Sequence, residues 1–257
     1  MIDWTELTLF IYIMARMSGF VLFNPIFGRA NIPAFYRTGF SLVLSVCVAS
    51  SIVTQQTVVM PVGLADMAIH ILLELAVGFF FGMVMNFFFY IPSFAGLLID
   101  TQMGRTMNQI YDPSSAANLS VTGVFINVMM TLLFFAANGH HTLLRIALTS
   151  GDVVAYGAVS FGQDAAAAML EIFVECTLLA VKLSLPILGA ELAGQVGMGV
   201  LMKVIPQINV FVINIELKVI IGLGLLIALI TPFSEFILKA EMQMLKELEM
   251  ILGLMGG

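Results

Sequence analysis

The 257-residue sequence is 60% apolar and only 10% charged, with a mean hydropathy of +1.06. That is far from the roughly 25% charged residues of soluble domains, so the chain reads as an all-α integral membrane protein with about six hydrophobic segments. A formal net charge of −6, with no two consecutive Lys or Arg residues, excludes a basic nucleic-acid surface.

The first apolar run covers residues 7–23 and carries Arg16 at its middle. A charge at the centre of a lipid-facing helix costs about 2.5–3.5 kcal/mol on insertion scales, so Arg16 should face protein or water, most simply in an ion pair. Asp3 and Glu6 precede it and no basic residue does, so the run is expected to be a retained span rather than a cleaved signal. Asn24, Pro25, Ile26, Phe27, Gly28 and Arg29, then Asn31, Ile32 and Pro33, form a turn-rich connector ending at Arg37, followed by a second span over 39–53. Asp66 can cap a third segment, which runs to Tyr90 with one charge, Glu74. Gly78 and Gly82 have helix-packing spacing. Phe79, Phe80, Phe81, Phe87, Phe88, Phe89 and Tyr90 surround the helix and are read as lipid-facing or subunit-facing bulk. Cys47 and Cys176 fall in apolar runs, where small buried thiols are expected rather than a disulfide.

Residues 93–119 are the densest polar group in the chain and lie between two apolar runs. Polar backbone cannot face lipid without partners, so this stretch must be covered by protein, line water or lie outside the bilayer. A fourth segment, 121–137, stops at Asn138 and Gly139. His140 and His141 are adjacent and so cannot share a helix face; with no second pair at ligand spacing, no metal site is expected. A fifth segment, 165–188, places Glu171, Glu175 and Lys182 on one face, as an ion-paired helix contact or as the coupling residues of a small secondary transporter. Pro186 and Gly189 are expected to interrupt it. Gln195, Gly197 and Pro206 then echo the spacing of Gln102, Gly104 and Pro113, as two related helical hairpins would. The sixth segment, 209–233, carries Glu216 and Lys218, which point in different directions and each need another partner. Pro232 should bend or end it, and an amphipathic tail over 235–257, with Leu238, Met242, Leu245, Leu248 and Leu252 on one face, is expected to meet a partner.

Charges inside expected spans (Arg16, Glu74, Glu175, Lys182, Glu216, and Lys218 beside them) point to helices that face other protein, as buried charges at subunit or helix contacts. The sequence holds no metalloprotease, nucleophile-elbow or phosphate-loop motif, so neither an enzyme nor a cofactor is expected.

Three stretches carry a resemblance. Arg16 with Asn24 to Gly28, Ile32, Pro33 and Arg37; Asp100, Gln102, Met103 and Gly104 through Asp112 and Pro113; and Glu191, Leu192, Gln195, Gly197 to Pro206, Gln207, Ile208, Asn209, Val210, Phe211, Leu217, Lys218 and Gly222 together resemble the FliR family of flagellar export-gate proteins and their injectisome counterparts, the flagellar branch more closely. The resemblance implies one export-gate domain over 1–257, similar to a fused FliP and FliQ, in a helical hetero-oligomer. Five copies of FliP and four of FliQ are the implied partners, with FlhB, other export-apparatus and proximal rod components, and unfolded flagellar substrates. It implies a multi-pass protein of the bacterial inner membrane and flagellar basal body, much of it on the periplasmic side. It also implies a plug loop within 93–120 that helps seal the closed channel, carried by Gln102, Met103, Gly104, Arg105, Met107, Ile110, Tyr111, Asp112 and Pro113. Gly104 supplies backbone freedom, the methionines deformable bulk, and Ile110 and Tyr111 apolar filling.

Overall fold

The computed structural model describes residues 4–52, 60–104, 120–204 and 210–256, the side chains of 210–215 excepted. Among these residues every regular element is helical: α1 (Trp4–Phe23), α2 (Ala34–Ile52), α3 (Leu64–Gln102), α4 (Val121–Ala136), α5 (Gly139–Leu148), α6 (Ser150–Val153), α7 (Gln163–Val204), α8 (Val210–Ala228) and α9 (Ile230–Met255). Four helices, α1, α2, α3 and α7, are long and apolar enough to cross a membrane, or up to six spans if two bent helix pairs each count as one. The fold class read from hydropathy is therefore the fold observed.

Helix lengths depart from the sequence reading in two places. α3 has 39 residues and α7 has 42; at 1.5 Å per residue they run about 58 and 63 Å, roughly twice a bilayer's hydrocarbon thickness. The polar stretch expected to be loop from residue 93 is helix as far as Gln102, and Pro186 with Gly189 does not interrupt α7. An internal proline costs a helix about 3 kcal/mol, but buried residues on both sides outweigh it, since packing supplies most helix stability in proteins. Val84, Phe88, Ala95 and Ile99 flank Pro92 in this way, and Leu183 and Ile187 flank Pro186. As for the internal echo, Gln102 ends a helix and Gly104 follows it, whereas Gln195 and Gly197 lie inside one; Pro113 and Pro206 lie outside the described residues.

The chain forms two compact units, the first from Met1–Phe88, Asn138–Phe173 and Glu241–Gly257, the second from Phe89–Ala137 and Val174–Ala240. In the first, α1 packs closely on α3. A Cβ on Gly19 would sit 2.5 Å from the Leu75 carbonyl oxygen, and one on Gly82 would sit 2.5 Å from Phe23 Cβ. The small-residue pattern thus marks the helix contact itself. α1 is followed by Asn24, whose Oδ1 accepts the N–H groups of Ile26 (2.8 Å) and Phe27 (3.2 Å), a side-chain turn that sets the chain toward α2.

Three of the seven belt residues are core rather than outward bulk: Phe81, Phe88 and Phe89 are buried, Phe80 and Phe87 are half-buried, and Phe79 and Tyr90 are exposed. Cys176 is buried as expected, but Cys47 is exposed. The sixth segment breaks at Leu229, so Pro232 falls in the first turn of α9, where its missing N–H has no intrahelical partner to lose. The tail is not merely a surface helix. Met244, Leu248, Ile251, Leu252 and Met255 form its buried seam and Met242 is 58% exposed, so the packed face is rotated from the expected stripe.

In the second unit, α3 and α4 touch through glycine. A Cβ on Gly96 would overlap the backbone N and Cα of Gly123 and sit 2.8 Å from the Thr122 carbonyl carbon. Ser120 caps α4, its Oγ accepting the Gly123 N–H at 2.8 Å.

Candidate functional site

In the first unit Arg16 is the centre of a buried cluster. Its Nε donates to Glu74 Oε2 at 2.6 Å, its Nη1 to the Val154 carbonyl at 3.0 Å and to Ser150 Oγ at 3.3 Å. The guanidinium carbon lies 4.1 Å from the Tyr156 ring centroid. Glu74 Oε1 accepts the Gly157 N–H at 2.8 Å. Arg16 and Glu74 are both fully buried. The pair therefore does more than cancel charge: it ties the connector after α6 to α1 and α3 with hydrogen bonds from both partners. Burial holds the Tyr156 hydroxyl above its ordinary pKa, with Arg16 pulling the other way.

The second unit holds a clasp at the ends of the central polar stretch. Asp100, in the last turn of α3, accepts from Ser120 Oγ (2.7 Å), from the Thr122 N–H (3.2 Å) and from Thr122 Oγ1 (2.5 Å). One carboxylate thus joins the end of α3 to the start of α4 across nineteen intervening residues, 101–119. Ser120 meanwhile relays the same site to the helix N-terminus, where negative charge is favoured. Met103 is completely buried, and Gly104 follows it at φ 74°, a left-handed conformation that glycine adopts without strain. Beside the clasp, Val121, Phe125, Leu223, Leu226 and Ile227 line an apolar cavity of about 280 Å³.

Asp100→Ala is expected to destabilise the second unit by about 2–3 kcal/mol, because hydrogen bonds to a buried charge are among the stronger ones and the Thr122 N–H loses its acceptor. Asp100→Asn should lose about half as much. Hydrogen exchange at the first-turn amides of α4 checks both, and unchanged exchange in Asp100→Ala would remove the clasp.

Of the six charges expected to be buried, only Arg16 and Glu74 are buried within the chain. Glu175 and Lys218 are half-buried, and Lys182 and Glu216 are exposed. Among the loop residues, Gln102 ends α3 and Met103 and Gly104 follow it; Arg105, Met107, Ile110, Tyr111, Asp112 and Pro113 lie outside the described residues. Three buried carboxylates were not singled out from sequence as buried charges: Asp100 (3% exposed) and Glu191 (1%) in the second unit and Glu241 (3%) in the first. Lys218 supplies favourable charge to Glu191.

The sequence matches the family described as bacterial export proteins, family 1, over residues 7–244. The chain belongs to that family. The match takes in both polar clusters. Among relatives, the flagellar biosynthetic protein FliR of Bacillus subtilis is 28% identical over 212 residues, 80% of each chain. FliR of Escherichia coli is 24% identical over 207 residues, 80% of this chain and 78% of that one. The Yop proteins translocation protein T of Yersinia pestis is 25% identical over 144 residues, 54% of each. Within the export family, the flagellar relatives are thus matched over more of this chain than the Yersinia protein, as the sequence resemblance implied.

Proposed function

We propose that the chain is a non-enzymatic core subunit of the flagellar type III protein export gate. With FliP and FliQ it forms the channel through which unfolded flagellar proteins cross the bacterial inner membrane during flagellum biogenesis, and its central stretch helps seal that channel when idle. The observation that carries this reading is the family match over 7–244, together with relatives named FliR over four-fifths of the chain. Five FliP and four FliQ subunits, FlhB and proximal rod components are the proposed neighbours, in the basal body and largely on the periplasmic side.

The geometry supports a sealing element because its two ends are fixed. Asp100 clamps Ser120 and Thr122, and Met103 is buried, so the segment between them starts and finishes on one packed unit. Exposed apolar residues along α7, among them Leu178, Leu185, Leu192, Val196 and Val200, give a face suited to neighbouring subunits or lipid. The transporter reading is less favoured. Glu171 and Lys182 are exposed, Glu175 is half-buried, and among the described residues no ion pair joins them.

The test is deletion of residues 104–113 in cells carrying the partner subunits, reading small-ion leakage across the inner membrane beside flagellar protein export. Leakage should rise with the complex still assembled. Unchanged leakage with normal export would overturn the sealing role; if assembly fails, point substitutions at Met107 and Ile110 take the place of the deletion, with the same readouts.

A further inference from the structure

Gly222 of α8 faces Met103, not open space. A Cβ built on Gly222 would overlap Met103 Sδ, lie 2.7 Å from Met103 Cγ and 3.3 Å from Glu191 Oε1. All three residues are buried. Neither Glu191 carboxylate oxygen has a hydrogen-bond partner among the described residues, so this side chain walls the space without closing it. On the same helix two residues on, a Cβ at Gly224 would meet nothing within 4 Å. Glycine at 222 thus leaves the space that the Met103 side chain fills: no positive φ is recorded there, and the helix would otherwise favour alanine.

We infer that Gly222 and Glu191 form a seat for the Met103 thioether, and that this seat sets the position of the α3 end from which the central stretch departs. Gly222 and Glu191 are positioning residues acting through Met103. A methionine suits the role because its flexible, polarisable side chain fills irregular space that a branched residue would not enter. The seat also explains how Met103, one residue beyond the last residue of α3, stays completely buried beside Gly104. Its backbone remains tied to the helix, the Met103 N–H donating to the Ile99 carbonyl at 2.9 Å and the Gly104 N–H to the Thr101 carbonyl at 3.1 Å. Those two amides report whether the seat is filled.

The functional consequence rests on the sealing role proposed above, and the experiment separates the two. In the full-length protein assembled with its partner subunits, Gly222→Ala, Met103→Ala, the double variant Gly222→Ala/Met103→Ala and the control Gly224→Ala are compared by hydrogen exchange at residues 99–104 and by ion leakage in cells. Gly222→Ala should speed exchange at the Met103 and Gly104 amides by about ten- to a hundredfold, because overpacking forces the side chain out. Gly224→Ala should leave it unchanged. The double variant should exchange no faster than Met103→Ala alone, since the added methyl occupies space that the truncated side chain has vacated.

Equal exchange in Gly222→Ala and Gly224→Ala would overturn the seat. So would a double variant as fast as the two single effects added, or one that fails to accumulate alongside Gly222→Ala while Gly224→Ala accumulates. Faster exchange with unchanged leakage would leave the seat standing and remove the sealing role instead.

Discussion

Arg16→Ala is expected to destabilise the first unit by about 3–5 kcal/mol, because removing one partner of a buried ion pair leaves the other charge without compensation. Here Glu74 would keep only the Gly157 N–H, while the Val154 carbonyl and the Ser150 hydroxyl would lose their donor. Thermal unfolding of the purified full-length protein, followed by near-ultraviolet circular dichroism, should show a clear downward shift of the midpoint. Glu74→Gln should be nearly as harmful, since the amide keeps the shape but leaves the guanidinium charge unpaired.

The informative variant is the double Arg16→Met/Glu74→Leu. Replacing a buried pair with apolar residues of similar size is often neutral. In this unit it would still leave the Gly157 N–H and the Val154 carbonyl without partners, at about 1–3 kcal/mol each. The double variant is therefore expected to recover part of the loss and to remain about 2–4 kcal/mol below the native protein. Full recovery would mean that the connector bonds contribute nothing. A single Arg16→Ala change worth less than about 1 kcal/mol would mean that the charge is solvated in the protein, against its complete burial.

Gly96→Ala is the second change with a large effect, and it acts on backbone rather than charge. The new Cβ would overlap the Gly123 backbone, and a helix backbone cannot move aside as the end of a flexible side chain can. α3 and α4 must then separate, and the Asp100 bonds to Ser120 and Thr122 would lengthen with them. A loss of about 2–3 kcal/mol is expected from overpacking. Gly189→Ala is the matched control: it lies inside α7 with nothing within 4 Å of its Cβ, so it should stabilise by roughly 0.5–1 kcal/mol through helix propensity. The same chemical change thus carries opposite signs at two positions, and chemical denaturation in detergent reads both. Equal effects at both would show that propensity, not contact, controls the response.

The class of the protein was legible from composition because burying apolar surface and satisfying backbone groups in lipid leave few alternatives to helices. Arg16 was correctly expected to be paired, since an unpaired charge there is too costly, and Gly78 and Gly82 had the spacing of a helix contact. Family membership was also legible, carried by motifs along nearly the whole chain.

The partner of Arg16 was another matter. Glu74 lies 58 residues away and the Val154 carbonyl 138 away, and only the packing of α1, α3 and the connector brings them together. Pro186 misled because local propensity is weaker than burial on both sides of a proline. Glu191 drew no notice as a buried charge because one carboxylate in an apolar run carries no periodic signal; its environment is made by Met103, Gly222 and Lys218, each supplied by another part of the chain. Sequence determined that the chain is helical and which residues are too costly to face lipid alone. Tertiary structure decided which distant groups satisfy them, because the hydrogen bonds and close glycine contacts that do so exist only once the helices have packed.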